Sequence, residues 1–235
     1  MALAAGSGLV AWLILTNRLT PQFRIRKGLV QNAFYPLYQP IVDLESGKVV
    51  GCEVLARFRD SNGDLPNGFK VSINLFPSDI AQSRLQNADS TLNLAASRFH
   101  IVLEVTESEE LDTRAAKECI DWLCEQGFEL AIDDFGTGYS NLSKVRDLGA
   151  GILKIDQAFI FDIETGGLGA TLVPLMIQIA NELGMRVVAE GVETTAQASV
   201  VRSMGIKRAQ GWAFGKPMPA KALQNLFHST NQPAP

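Results

Sequence analysis

The 235-residue sequence is poor in cysteine and histidine and has no excess of positive charge. Its three cysteines are an odd number and too few for a disulfide scaffold, which favours a reduced compartment. Its net charge of −4 argues against a protein that binds nucleic-acid polymers mainly by electrostatics, because such proteins are normally basic. The two histidines, His100 and His228, stand apart from the polar positions discussed below, which weakens any mechanism that depends on histidine.

The first residues differ from the rest of the chain. Met1–Leu15 is almost wholly apolar, and basic residues follow from Arg18 onward. A signal peptide is a poor fit, because no basic segment precedes this run and no clear cleavage site closes it. The run is also shorter than the roughly 20 residues that cross a bilayer. We interpret residues 1–17 as the last part of a transmembrane helix and 18–33 as a basic juxtamembrane linker. A core or amphipathic helix is the alternative.

The positive-inside rule then predicts a location for the remainder of the chain. Basic residues directly after a membrane helix favour the cytoplasmic side. We therefore expect attachment to the inner membrane, with the folded domain in the cytoplasm.

Short apolar, β-branched runs recur through residues 34–228, with helical patterns between most of them. Near-continuous apolar runs of this length are typical of strands that are buried on both faces. Eight strands that alternate with helices predict one TIM-like (β/α)₈ barrel over residues 34–228, followed by a disordered tail at 229–235. The predicted strands are Tyr38–Val42, Val49–Leu55, Lys70–Leu75, Ile101–Val105, Glu129–Ile132, Ile152–Ile155, Arg186–Ala189 and Lys207–Trp212.

Polar side chains occur in or directly after most of these runs, where such barrels form their active sites. Several converging carboxylates would repel one another without cations, and oxygen ligands with no nearby histidine or cysteine suit Mg²⁺ or Mn²⁺. Two such cations could clamp a phosphodiester and activate water, with Lys154 and Arg57 offsetting phosphoryl charge. Taken singly, each acid could instead form a structural ion pair. The positions are Glu53, Arg57, Asn74, Glu104, Glu107, Asp133, Asp134, Lys154, Asp156, Glu190, Glu193 and Gln210.

Five motifs in a fixed order resemble the EAL family of cyclic di-GMP phosphodiesterases. Several long motifs in order are far more specific than one short motif. The resemblance covers about residues 34–220 and implies an EAL-type barrel that hydrolyses cyclic di-GMP to linear pGpG with two divalent cations. The first residues also resemble members that are tethered to the membrane behind a periplasmic sensor. The motifs are Tyr38–Asp43, Glu53–Leu55, Asp133–Ser140, Lys154–Asp156 and Ala189–Thr194.

The resemblance also implies a role for each site residue. Glu190, Lys154 and Glu53 correspond to catalytic residues, with Glu190 as a general base or metal ligand and Lys154 near the attacking water. Supporting positions are Glu107 and Glu193, and a homodimer through the same domain is expected. The implied metal ligands are Glu53, Asn74, Glu104, Asp133, Asp134 and Glu190. The implied substrate-binding residues are Arg57, Gln39, Leu55, Gln210 and Asp156.

The segment between Phe58 and Phe69 departs from the family pattern. It holds turn-forming residues and no helical period, where family members carry about two helices. Parallel neighbouring strands normally need a crossover of at least about 10–12 residues that includes a helix. Two alternatives to the enzyme therefore stay open: a module that binds cyclic di-GMP without cleaving it, and a truncated remnant without function. The complete set of metal-ligand positions favours the enzyme.

Overall fold

The described part of this computed structural model, residues 34–58, 70–74, 99–106, 113–137 and 142–231, forms a closed eight-stranded barrel. Neighbours in the barrel follow chain order, and the last strand pairs with the first. The strands are β1 (Phe34–Asp43), β2 (Val49–Phe58), β3 (Lys70–Asn74), β4 (His100–Thr106), β5 (Glu129–Phe135), β6 (Ile152–Ile155), β7 (Arg186–Ala189) and β8 (Arg208–Gln210).

Helices described by the structure follow most of the strands from β4 onward. Their positions follow the helical spacing of apolar residues in the sequence. They are α1 (Thr113–Glu125), α2 (Leu142–Leu148), α3 (Gln157–Ile160), α4 (Leu168–Glu182), α5 (Thr195–Ser203) and α6 (Ala220–Asn231), with a 3₁₀ turn at Ile163–Thr165.

Inside the barrel, the strands carry a layer of apolar side chains and, nearer their C-terminal ends, a ring of polar side chains. Alternate residues of a strand face opposite sides of the sheet. Outward-facing Leu103 and Leu153 belong to the large core that the helices cover. Five inner residues from five strands form a separate apolar cluster: Ile41, Val102, Ala131, Ile152 and Val188. Glu104, Asp133 and Lys154 each follow one of these inner residues by two positions, in β4, β5 and β6 respectively. The charged groups therefore lie on the inner face, above an apolar floor.

The structure corrects the predicted (β/α)₈ pattern at its first pair of strands. β1 is antiparallel to both β2 and β8, and the other neighbouring pairs are parallel. The turn at residues 44–48 is too short for a parallel crossover of roughly 10–12 residues. Asp43 Oδ1 accepts hydrogen bonds from Ser46 N and Oγ at 2.8 and 2.7 Å there. Because β1 runs in the opposite direction, Gln39 faces the rim that holds the C-terminal ends of the parallel strands.

Several predicted segments lie outside the described residues. These are the membrane helix at 1–17, the basic linker at 18–33 and the shortened crossover at 59–69. The strands on either side of that crossover, β2 and β3, do pair in parallel. Across the residues that are described, no helix is both long and apolar enough to cross a membrane.

The prediction of a disordered tail from residue 229 is wrong for its first three residues. Helix α6 continues to Asn231. Thr230 Oγ1 accepts a hydrogen bond from Val49 N at 3.3 Å, and Asn231 Nδ2 donates to Val49 O at 3.1 Å. These bonds hold the end of α6 against the start of β2. They satisfy the backbone N–H and C=O of Val49, which is buried there.

Gly169 allows α4 to begin against α3. A Cβ atom at Gly169 would lie 1.7 Å from the carbonyl oxygen of Phe159. We expect Gly169→Ala to lower the free energy of unfolding by about 1–3 kcal/mol, because the added methyl group forces the two backbones apart. Denaturant unfolding measures this change. Gly151→Ala is the control, since a Cβ at Gly151 meets nothing within 4 Å. Equal unfolding midpoints for the two variants would contradict this account of α4 packing.

Candidate active site

An irregularity at the end of β5 separates the side chains of Asp133 and Asp134. The pairing of β5 with β6 shifts register between Ile132 and Phe135. Asp134 has a φ of 54°, which is uncommon for a residue other than glycine. Its backbone N donates to Asp133 Oδ1 at 3.1 Å. Bulges re-aim side chains beside functional sites, and here Asp133 is buried while Asp134 is half-buried at the rim.

Lys154 lies at the centre of the charged cluster. Its Nζ is 2.8 Å from Glu190 Oε1, 2.9 Å from Glu104 Oε2 and 2.9 Å from Asp133 Oδ1. Glu53 Oε2 is farther, at 4.0 Å. Lys154 and Glu104 are 2% and 1% exposed, so these charges have left water almost completely. The four acids come from β2, β4, β5 and the end of β7, and the one ammonium from β6.

Gln210 of β8 joins two of these acids from the other side. Its Nε2 donates to Glu53 Oε2 at 2.8 Å and to Glu190 Oε1 at 2.7 Å. Its Oε1 is buried and accepts no hydrogen bond from any described residue. Gln39 lies directly opposite Glu53 in the pairing of β1 with β2. Glu53 is therefore held between β1, β6 and β8.

Burial and the crowding of like charges raise the pKa values of Glu104, Asp134 and Glu190. Burial first, and then the neighbouring carboxylates, raise the pKa of Glu190 to about 8 and that of Glu104 to about 7, with Lys154 acting in the opposite direction. Burial, followed by the charges of Asp133 and Asp156, raises the pKa of Asp134. Burial alone would lower the pKa of Lys154, but the carboxylates, Glu190 foremost, hold it well above its ordinary value. With all of these carboxyl groups ionised, the site would carry more negative charge than one ammonium can balance. Without a further cation, burial therefore favours protons on Glu190 and Glu104.

A cavity of about 260 Å³ opens over this cluster. Asp156 lies on its wall and also caps α3, since its Oδ1 accepts a hydrogen bond from Ala158 N at 2.8 Å. Leu55 is not among the lining residues that the structure describes. The described lining consists of Gln39, Asp134, Asp156, Gln157, Glu190, Gly191, Glu193, Gln210, Gly211 and Trp212.

Three predicted site residues cannot be placed by their side chains. Arg57 and Asn74 lie in β2 and β3, and only their backbone positions are described. Asn74 pairs with Glu104 across β3 and β4, so its backbone lies beside the cluster. Glu107 is outside the described residues. The predicted roles of these three residues remain predictions.

The sequence analysis missed Gln197, which holds the segment that follows Glu190. Buried Gln197 Oε1 accepts hydrogen bonds from Glu193 N at 2.7 Å and Thr194 N at 3.1 Å. Its Nε2 donates to Phe161 O at 3.3 Å, which ties the end of β7 to the segment after α3. The Thr-x-x-Gln spacing of a helix capping box was the available signal. Glu193, predicted as a supporting residue, is positioned through its backbone in this network.

The described residues fit a divalent cation. Oxygen atoms of Asp133, Asp134 and Glu190 lie within 4.8 Å of one another. Gln210 Oε1, buried and unpaired, adds a neutral oxygen nearby. A donor set made only of carboxylate and amide oxygens suits Mg²⁺, Mn²⁺ or Ca²⁺ and does not suit Zn²⁺. A cation would also balance the excess negative charge around Lys154.

Fold and site together define a class: closed barrels with an acidic mouth, suited to a divalent cation, at the C-terminal ends of their parallel strands. In this chain the acidic mouth consists of Glu53, Glu104, Asp133, Asp134 and Glu190 around Lys154. Within this class, the chain belongs to the EAL domain family, whose family model matches residues 23–69 and 62–217. The two matched segments meet at the connection between β2 and β3. This is the place where the sequence departs from the motif pattern of the family.

Curated relatives agree with this assignment. The chain is 31% identical to the probable cyclic di-GMP phosphodiesterase PdeN of Escherichia coli strain K12, over 90% of this chain and 49% of the relative. It is 30% identical to the probable cyclic di-GMP phosphodiesterase PdeB of the same strain, over 88% of this chain and 47% of the relative. The chain thus spans about half the length of the curated relatives it matches. The alignment with PdeN extends over 252 residues, more than the 235 of this chain, so the relative carries residues without a counterpart here.

Solved structures share the barrel. The c-di-GMP complex of the PaMucR phosphodiesterase superposes with a TM-score of 0.75 at 28% identity, covering 86% of this chain and 98% of that one. A calcium and cyclic di-GMP complex of BlrP1 from Klebsiella pneumoniae gives a TM-score of 0.67 at 26% identity, covering 79% of this chain and 56% of that one.

Removing the central ammonium tests the electrostatic account of the site. We expect Lys154→Met to lower the free energy of unfolding by about 3–5 kcal/mol in chelator, because it leaves buried carboxylates without a counter-charge. Added Mg²⁺ should recover more stability in this variant than in the wild type, since the cation replaces the lost charge. Thermal melts with and without Mg²⁺ measure both effects. Lys117→Met, which removes an exposed lysine of α1, is the control. Equal melting temperatures for both variants in chelator would contradict the account.

Proposed function

We propose that this chain hydrolyses cyclic di-GMP to linear pGpG with Mg²⁺ or Mn²⁺ at the acidic mouth of the barrel. The observation that carries the proposal is the convergence of Glu53, Glu104, Asp133 and Glu190 on Lys154 at one end of the barrel. The two curated relatives named as probable cyclic di-GMP phosphodiesterases and the two complexes that hold this nucleotide support the choice of substrate.

Asp133, Asp134 and Glu190 would hold the cation, with Glu53, Glu104 and the predicted ligand Asn74 beside them. A bound divalent cation at this place supplies Lewis acidity toward a phosphoryl oxygen and lowers the pKa of water. Lys154 offsets the charge that develops on the phosphoryl oxygens during hydrolysis. Glu190 keeps both of its predicted roles within the proposal: it would bind the cation with Asp133 and Asp134, or take a proton from the attacking water.

The rim residues would bind and orient the substrate. Gln39, Asp156 and Gln210 line the cavity and offer polar groups to an incoming nucleotide. Arg57 and Leu55 on β2 keep their predicted substrate-binding roles within the proposal. Glu107 and Glu193 would hold the loops around the site.

The wider organisation of the protein is also part of the proposal. Residues 34–228 form the phosphodiesterase domain, and residues 1–17 anchor it at the inner membrane through the basic linker at 18–33. The domain then lies on the cytoplasmic side and pairs with a second copy. The apolar run and the basic residues after it support the attachment.

A receptor that binds cyclic di-GMP without cleaving it is the second candidate. The observation that favours it is the break in the family match near the connection of β2 and β3. That connection adjoins β2 and β3, which carry Glu53, Arg57 and Asn74. Loss of helices there could leave binding intact while it disturbs the groups that activate water.

Replacement of Asp133 tests the enzyme. We expect the whole chain to release pGpG with Mg²⁺ or Mn²⁺, and chelator to abolish the reaction. Asp133→Asn should lower turnover at least about 100-fold, because it removes a charge from the proposed cation site. Asp147→Asn, which changes an exposed residue of α2, should leave turnover unchanged. Chromatography of the nucleotide products measures the rates.

Two results would decide against the enzyme. Turnover by Asp133→Asn close to that of the wild type would refute the assigned site. Saturable binding of cyclic di-GMP by the folded wild-type chain, without any pGpG, would establish the receptor in its place. A cooperative melt of each protein distinguishes both results from a failure to fold.

A further inference from the structure

The end of the barrel opposite the acidic mouth carries a second cavity, of about 500 Å³. It lies between α4 and the first residues of β7 and β8. One part of its wall is apolar and includes Met185, Val187 and Ile206. Another part is basic and consists of Arg186, Lys207 and Arg208. A cavity of this size, within the roughly 300–1,000 Å³ of small-molecule sites, with both apolar and charged walls is suited to an amphipathic anion.

Two of the three basic side chains lack a close anionic partner among the described residues. Arg186 Nη2 pairs with Glu129 Oε2 at 2.7 Å. Lys207 and Arg208 form no ion pair within 4.0 Å and no side-chain hydrogen bond to any residue that the structure describes. Asp43 lines the cavity, and its Oδ1 accepts hydrogen bonds from Ser46 N and Oγ. Asp43 and Glu129 interact with Arg208 at longer range than an ion pair. Three basic side chains thus face two acids, and the wall keeps a net positive charge.

Arg208 is the basic residue of this wall that is half-buried, so its guanidinium has lost part of its contact with water. Burial first, and then the neighbouring Arg186, lower the pKa of its guanidinium below the ordinary value, while Glu129 and Asp43 act in the opposite direction. A partly desolvated guanidinium with unused donors gains most from an anion that can accept two parallel hydrogen bonds. Phosphate and carboxylate groups both have this geometry.

We propose that this cavity binds a phosphate monoester with a body of nucleoside size. The phosphate lies against Lys207 and Arg208, and the body packs on the apolar wall at Val187 and Met204, which are only half-buried. A bidentate guanidinium uses both oxygens of a carboxylate, whereas a phosphate monoester has a third oxygen left to accept a hydrogen bond from Lys207. The flexible, polarisable side chain of Met204 suits an aromatic ring.

This cavity is independent of the acidic mouth. The apolar cluster that contains Ile41, Ile152 and Val188 lies between the two ends of the barrel. The same chain can therefore bind ligands at both ends at once, and the inference does not rest on the proposed hydrolysis of cyclic di-GMP.

AMP is a suitable probe because it is a phosphate monoester without the guanine that the proposed substrate contains. Calorimetric titration of the whole chain with AMP, in chelator, should give saturable binding. We expect Arg208→Gln and Lys207→Gln each to weaken it at least about tenfold, which corresponds to the loss of one charge-assisted hydrogen bond. Arg202→Gln, which changes an exposed arginine of α5 outside the cavity, should bind AMP like the wild type.

Three outcomes would overturn the proposal. The first is no saturable AMP binding by the folded wild type. The second is binding that Arg208→Gln and Lys207→Gln leave unchanged. The third is inorganic phosphate binding as tightly as AMP, which would mean that the apolar wall contributes nothing. Lys207 is exposed, so Lys207→Gln keeps the test decisive if Arg208→Gln fails to fold. Turnover of cyclic di-GMP, measured separately, distinguishes failure here from failure of the proposed function.

Discussion

The buried ammonium of Lys154 pairs with several buried carboxylates, and this pairing sets how the strands must be arranged around it. Removing a charge from water costs several kcal/mol even after relaxation, and that cost is offset only when partners are close and well oriented. Lys154 meets Glu104, Asp133 and Glu190 within 2.9 Å. Because these residues stand on four different strands or strand ends, the arrangement requires the strands to curl around one axis. The charged cluster thus ties the closure of the barrel to the formation of the site.

Three local features of the barrel support this arrangement. A register shift and the left-handed backbone of Asp134 separate two consecutive acids, so that Asp133 contacts the buried Lys154 and Asp134 lines the cavity. The reversed direction of β1 brings Gln39 to the same rim as Glu53. Gln197 then fixes the segment after Glu190 to the neighbouring segment at Phe161. Each feature places a polar group where regular alternation of parallel strands would not place it.

Much of the fold could be predicted from the sequence, because continuous apolar runs mark strands that are buried on both faces. All eight predicted strands exist in the predicted order. The direction of β1 was not predicted, since the run from Tyr38 to Val42 looks the same in either direction. Only the turn residues Ser46 and Gly47 indicate a hairpin. The convergence of Glu53, Glu104, Asp133, Lys154, Glu190 and Gln210 was predicted because each stands in or directly after one of the predicted strands. The partners of each acid were not, because they depend on side-chain geometry across the barrel. The side chains of Arg57, Asn74 and Glu107 keep only their predicted roles.

We propose above that the acids around Lys154 form a site for a divalent cation. Titration of the whole chain with Mn²⁺, followed by electron paramagnetic resonance of the free ion, measures this binding. We expect saturable binding that Mg²⁺ displaces and that Glu190→Gln weakens strongly. Absence of saturable Mn²⁺ binding by a cooperatively folded chain would contradict it. The excess negative charge would then be balanced by protons on Glu104 and Glu190, whose raised pKa values already favour that state in the absence of metal.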